Sequence, residues 1–244
     1  MRPRPDNGGP NSTRPMNQIS DMTIGGRSTS GFSDLSINRV VFDSGYVPLS
    51  SVPGDFTLFS NVNLADVSHI NCDVLTSRLE RISVSGLKRL GSNPLFLWGC
   101  VFNQVELAGH MGGLKINRRV AAGTIATPAQ QEAWDLAVKT YYEGVDWALD
   151  ISKAKFPGGI TFEALPGHKV KRNMETQVLV RRDKLSAFDW QKLDFGASGF
   201  GIALSWFLDG SQFDSVVLAA RTASKYGAQD VAVLDMLRRQ GLAE

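Results

Sequence analysis

From Val62 to Ile116 the apolar residues recur every five positions, a spacing that belongs to neither a helix, with its intervals of three and four, nor a strand, with its interval of two. Val62, Val67, Cys72, Ser77, Ile82 and Leu87 form one series. Two residues after each comes a second: Leu64, His69, Val74, Leu79, Val84 and Arg89. The pattern slips by about three residues around Gly91, Ser92, Asn93 and Pro94, whose turn chemistry reads as a loop bulging from one coil. It resumes as Leu95, Cys100, Val105 and His110, partnered by Leu97, Phe102, Leu107 and Gly112. A fixed short repeat predicts a solenoid, in which each unit buries its apolar side only by stacking on its neighbours.

The rest of the chain is read against that stretch. Residues 1–17 are rich in Pro, Asn, Gly and Arg with almost no large apolar side chain, a composition that predicts a flexible tail. From Ile19 to Phe59 short strand-like pieces, notably Ile37 to Phe42 and Phe56 to Phe59, predict an irregular entry that covers the first coil. Thr127, Pro128 and Gln130 form a capping box with proline at the first helical position. A helix is therefore expected over 128–144, with Trp134, Val138 and Tyr141 on one face and Gly144 as its stop. Leu149 with Ile151, and Ala154 with Phe156, then restore the pentad spacing, so the helix reads as an insertion before a further coil, which Thr176 to Val180 extends. Ser211 and Asp214 have capping-box spacing before Val216 to Ala220, and Val231, Leu234 and Leu237 mark a second face. Together these predict a C-terminal helical hairpin, packed on the solenoid or on a second copy of the protein as a homodimer. The expected organisation is a tail over 1–17, a solenoid domain over 18–185 with its inserted helix, and a helical region over 186–244.

Runs such as CVFNQ followed by VELAG, a small or apolar residue with Leu or Phe two positions on, resemble the pentapeptide-repeat proteins. The resemblance covers about a quarter of the chain. It implies a mainly β fold: a short right-handed parallel β-helix, four-sided, with four pentads to a coil and both repeated positions inward, making roughly two to three coils of Val62–Ile116. His69, Arg89 and His110 depart from the family's small or apolar residues.

Composition narrows the function classes only a little. Of 244 residues, 26 are Lys or Arg and 24 Asp or Glu, so a net charge of +2 gives no reason to expect nucleic acid or a membrane surface. No apolar run reaches the length of a bilayer span, and the start lacks the apolar core of a secretory signal, so a cytoplasmic protein is expected. Cys72 and Cys100 fall on inward positions and are expected to be core thiols rather than a disulfide or metal pair. His69, His110 and His168 show no metal spacing, and no cofactor motif is present. Ser85 and Ser198 lack the G-x-S-x-G frame of a nucleophile, and Gly196 to Gly201 lacks the Lys-Ser/Thr ending of a P-loop.

Arg118-Arg119 and Arg181-Arg182, with Lys169, Lys171 and Arg172, are solvated basic groups unless the fold gathers them. Trp98 follows the inward Leu97 and so points outward, where an exposed Trp is a favoured interface anchor, unless the inserted helix or the hairpin covers it. The expected binding set is Trp98, Lys88 and Arg89, with no catalytic and no metal-ligating residue. The function expected is a non-catalytic protein-binding module, an inhibitor or immunity-type partner of another bacterial protein. Mimicry of duplex DNA by an acidic surface is disfavoured, since Val62–Ile116 carries five basic and four acidic residues. The alternative is a carbohydrate-active β-helix enzyme, a hydrolase or lyase, for which Asp150, Glu163 and Asp183 are the carboxylates to test.

Overall fold

The computed structural model describes residues 17–120 and 127–244; the tail expected over 1–17 lies, but for Asn17, outside them. Thirteen parallel strands form one curled, half-barrel-like sheet. They are β1 (Asn17–Ser20), β2 (Thr23–Arg27), β3 (Ser33–Asn38), β4 (Val41–Val47), β5 (Thr57–Ile70), β6 (Asp73–Leu75), β7 (Ser77–Arg89), β8 (Leu95–Trp98), β9 (Val101–Asn103), β10 (Val105–Met111), β11 (Leu114–Asn117), β12 (Leu149–Lys155) and β13 (Val170–Lys171). Strands close in sequence pair side by side: Val62 lies beside Ile82 and Asn63 beside Ser83, twenty residues on, whereas Val105 lies beside Leu149, beyond the inserted helix.

The register explains the pentad pattern. Leu35, Val62 and Ile82 are paired in one column, and Val105, Leu149 and Val170 in another stretch of the same kind. Val47, Val74, Leu97 and Ile116 form a further column on β4, β6, β8 and β11. Like side chains therefore stack on like, as expected when apolar faces are buried only against the next rung. The chain turns between these columns at residues with left-handed backbone, and these too come every fifth position. Asn61, Asp66, Asn71, Thr76 and Arg81 have φ between 38° and 53°, and Gly86 continues the series at 81°. Such φ values cost an ordinary residue about 1–2 kcal/mol, least for Asn, Asp and Gly. Side chains at the corners bridge rungs: Asn61 donates to Asp34 at 2.9 Å and Arg81 donates to Asn61 at 2.6 Å.

Three expectations are corrected. The entry segment does not cover the first coil but supplies rungs of the sheet, since β3 pairs with β5 and β4 with both β5 and β6. Gln177–Arg181 is not a further parallel rung: this strand, β14, pairs antiparallel with β15 (Ser215–Ala219) in a separate two-stranded sheet. Val216–Ala220, read as a helix, is therefore mostly strand, and all five residues of β15 are buried, so no helical hairpin forms there. A buried apolar run of that length carries no period to separate strand from helix.

Four helices complete the described residues: α1 (Pro128–Glu143), the short α2 (Arg182–Ser186), α3 (Phe200–Gly210) and α4 (Gly227–Arg239). Thr127 and Gln130 make the reciprocal capping box of α1. Trp134 and Val138 are buried as expected, while Tyr142 rather than Tyr141 completes the buried set. The Tyr142 hydroxyl accepts from the Phe102 backbone N–H at 3.2 Å, and its ring meets Phe213 edge-on at 5.6 Å. That bond matters because β9 pairs with β7 on one side only. α1 thus occupies the place a further rung would take, and one side chain satisfies the open edge. No helix among the described residues is long and apolar enough to cross a membrane.

Candidate functional site

Where the repeat is broken, a cleft opens. Between Ala108 and Met111 the pairing of β10 with β7 shifts register, so Met111 rather than His110 lies beside the inward Leu87. Met111 is 1% exposed, whereas His110 is turned outward. Bulges of this kind re-aim a side chain. Arg89, nominally an inward position, is exposed as well. Gly113, with φ +69°, allows this, because a Cβ there would come within 2.7 Å of the Arg89 Cδ.

The resulting cleft, of about 900 Å³, is lined by Lys88 and Arg89 from β7, by His110, Gly112, Gly113 and Lys115 around β11, by Asp66 and Pro94, and by the turn at 157–159. His69 lies directly behind it: it is 1% exposed, and its Nε2 is 3.1 Å from the carbonyl of Gly112. Its Nδ1 is buried without a partner. Burial, and less so the charge of Arg89, hold its pKa below the ordinary imidazole value, so the ring is neutral and Nε2 is the donor. The three departures from the pentad pattern thus meet at one place.

Charge in the cleft is one-sided. Lys88, Arg89 and Lys115 form no ion pair among the described residues, and Asp66 is the only carboxylate on the lining. Burial lowers the pKa of Lys115, opposed by the charge of Glu163. Burial likewise raises the pKa of Glu163, whose Oε2 has no hydrogen-bond partner.

Trp98 stands outside the cleft but is joined to it through the sheet. It is half-buried; its indole N–H donates to Asp73 at 2.9 Å and its ring stacks on Phe96 at 5.0 Å. Neither α1 nor α3 supplies these contacts. In register across four rungs lie Tyr46, Asp73, Phe96 and Lys115, each one residue before an apolar position of the Val47–Ile116 column. An outward ladder of aromatic and charged side chains therefore ends at the cleft.

The other candidates are held elsewhere. Arg118 pairs with Asp135 at 2.7 Å, Arg181 with Asp183 at 3.1 Å, and Lys171 lies over the Trp147 ring at 3.6 Å. Arg182 donates to the carbonyls of Phe207, Leu208, Ser211 and Phe213, and Lys169 to that of Val145. The basic groups do not gather on the cleft. Asp150 accepts from the backbone and hydroxyl of Ser152, so Asp150, Glu163 and Asp183 make separate contacts and none lines the cleft. His168 is exposed, with Nδ1 3.5 Å from the buried Ser215 hydroxyl, and burial lowers its pKa. Ser198 donates to the Phe195 carbonyl at 2.7 Å, in the turn that leads into α3, and Ser85 is exposed. Cys72 and Cys100 are free and buried; burial pushes the Cys100 thiol up to about 12. Among the described residues no group of His, Cys, Asp and Glu is arranged to hold a metal.

Sequence reasoning named Lys88 and Arg89 but not Lys115, Tyr46 or Phe96. The available signal was their position beside Leu97, Ile116 and Val47 in the same column. No protein-family model, no curated protein and no solved structure matches the chain.

Proposed function

We propose that the protein is a non-catalytic module that binds another protein along the ladder of Tyr46, Asp73, Phe96 and Lys115, with Trp98 stacked beside Phe96, continuing into the cleft beside Lys88 and Arg89. The observation that carries this reading is the column itself: Tyr46, Asp73, Phe96 and Lys115 are held in register on successive rungs of the sheet, and Trp98, two residues along from Phe96, stacks on its ring and donates to Asp73. The proposal extends to the architecture. The twenty-residue offset of β5 from β7, with left-handed corners every fifth residue, supports a right-handed four-sided coil like that of the pentapeptide-repeat proteins. A cytoplasmic setting, where thiols stay reduced, suits the free Cys72 and Cys100. An inhibitor or immunity-type role would use the same face.

The carbohydrate-enzyme alternative needs two carboxylates facing one substrate, and Asp150, Glu163 and Asp183 supply no such pair. A homodimer through the C-terminal helices would use Ile202 and Trp206, which lie one turn apart on α3 at 59% and 54% exposed. The experiment is capture from host lysate with the tagged protein and with Trp98→Ala and Tyr46→Ala variants shown to keep their melting temperature. The expected result is a partner held by the parent and lost from both variants. Turnover of a polysaccharide, abolished by Glu163→Gln in the folded protein, would move the assignment to the enzyme.

A further inference from the structure

A lysine half-withdrawn from water with no carboxylate within ion-pair distance is an unfavourable arrangement, and Lys115 is one. Glu163 relieves it only in part: its charge opposes the effect of burial on Lys115, but burial also raises the pKa of Glu163 itself, and the two form no ion pair. Lys88 and Arg89 stand beside it on the same lining, equally without an ion pair among the described residues. An anion entering the cleft would complete all three.

The form of the cleft says which anion. About 900 Å³ is near the upper end of ordinary ligand pockets and far more than one phosphate or carboxylate occupies. Gly112 and Gly113 on one wall and Gly158 and Gly159 on another carry no side chains, so an extended chain can approach both walls closely. His110 carries the only aromatic ring on the lining, and no Phe, Tyr or Trp stands there, so the series of stacking rings on which successive bases of a single strand rest is missing. The aromatic ladder, which suits a protein surface, leads to its edge through Lys115.

We propose that the cleft receives an acidic, extended segment of the partner protein, with successive carboxylates meeting Lys88, Arg89 and Lys115 while the body of the partner rests on the Trp98 ladder. This rests on the protein-binding reading and adds the chemistry of the recognised segment. Asp66 makes the recognition positional, because it repels an acidic group on its own side of the cleft.

The test uses the full chain and two fluorescein-labelled peptides, hexaglutamate and hexaglutamine, read by anisotropy at low and at physiological salt. Hexaglutamate is expected to bind and hexaglutamine not to, with affinity falling as salt rises. Lys88→Gln, Arg89→Gln and Lys115→Gln should each weaken hexaglutamate about tenfold, the usual scale of one charge-assisted contact, whereas Lys139→Gln on the exposed side of α1 should change nothing. Each variant is first shown to melt as the parent does. Failure of hexaglutamate to bind, or equal weakening by Lys139→Gln, overturns the proposal. So does displacement of hexaglutamate by pyrophosphate at concentrations where acetate has no effect, which would assign the cleft to a small phosphorylated ligand. Should partner capture still depend on Trp98 and Tyr46 in those cases, only the acidic-segment inference fails. Loss of capture dependence with hexaglutamate still bound would sink the protein-binding reading alone.

Discussion

Removing one oxygen atom tests how the inserted helix joins the sheet. Tyr142→Phe leaves the ring against Phe213 and deletes only the hydroxyl that accepts from the Phe102 N–H at 3.2 Å. Both residues are 2% exposed, and β9 has no strand on that side to offer another acceptor. The gap left by a hydroxyl is smaller than a water molecule, so solvent cannot replace the bond. A buried N–H stripped of its acceptor costs about 1–3 kcal/mol. With a urea dependence of about 2 kcal/mol per molar, the unfolding midpoint should fall by roughly 0.5–1.5 M without a change of slope. Hydrogen exchange at the Phe102 amide should quicken in step. Tyr141→Phe is the control, since its hydroxyl reaches Glu80 at 3.3 Å from a partly exposed position, and it should cost under about 1 kcal/mol. If Tyr142→Phe shifts the midpoint no more than Tyr141→Phe and the amide stays protected, the hydroxyl is not what closes that edge.

Three further expectations use the same kind of measurement. Phe102→Ala removes a fully buried ring paired in register with Leu79 and should cost about 3–5 kcal/mol; an unchanged melting temperature would place the ring outside the core. Val138→Asp buries a charge without a partner on the sheet-facing side of α1, so the variant should be strongly destabilised, and a soluble, equally stable product would mean that face is free. His69 gives an acid limb: its folded pKa is lowered by burial and by Arg89, so the unfolded chain binds the proton more readily. Its contribution is therefore complete above about pH 6.5 and lost as pH falls from there through the lowered folded value. Urea titrations at several pH values should show His69→Leu with a flatter loss on acidification than the parent, and parallel curves would contradict this.

The pentad columns were legible because burial selects the residue at each inward position: Val62, Val67, Ile82 and Leu87 are all buried. The corners left a fainter trace, since Asn61, Asp66 and Asn71 suit left-handed backbone but Arg81 and Gln104 do not announce it. The cleft was not legible. It depends on a one-residue register shift near His110, on Gly113 making room for Arg89, and on the turn at 157–159 arriving from a later rung. Such long-range coincidences have no local period. The β14–β15 pair was misread for the opposite reason, because Val216–Leu218 is apolar on both faces and its length fits either element.

The place α1 takes in the sheet also orders assembly in time. Val62 and Ile82 are twenty residues apart, and most rungs close loops of about that length, whereas β10 must wait for β12 across all of α1, pairing Val105 with Leu149. Loop closure is slower and entropically dearer over the longer span. The rungs up to β10 are therefore expected to gain protection first and β12 later, an order that pulse-labelled hydrogen exchange reads directly. Synchronous protection of Ile82 and Ile151 would rule it out. Until α1 docks, β9 and β10 form the growing tip of an unfinished sheet, and Tyr142 is the stopper that turns this tip into an interior.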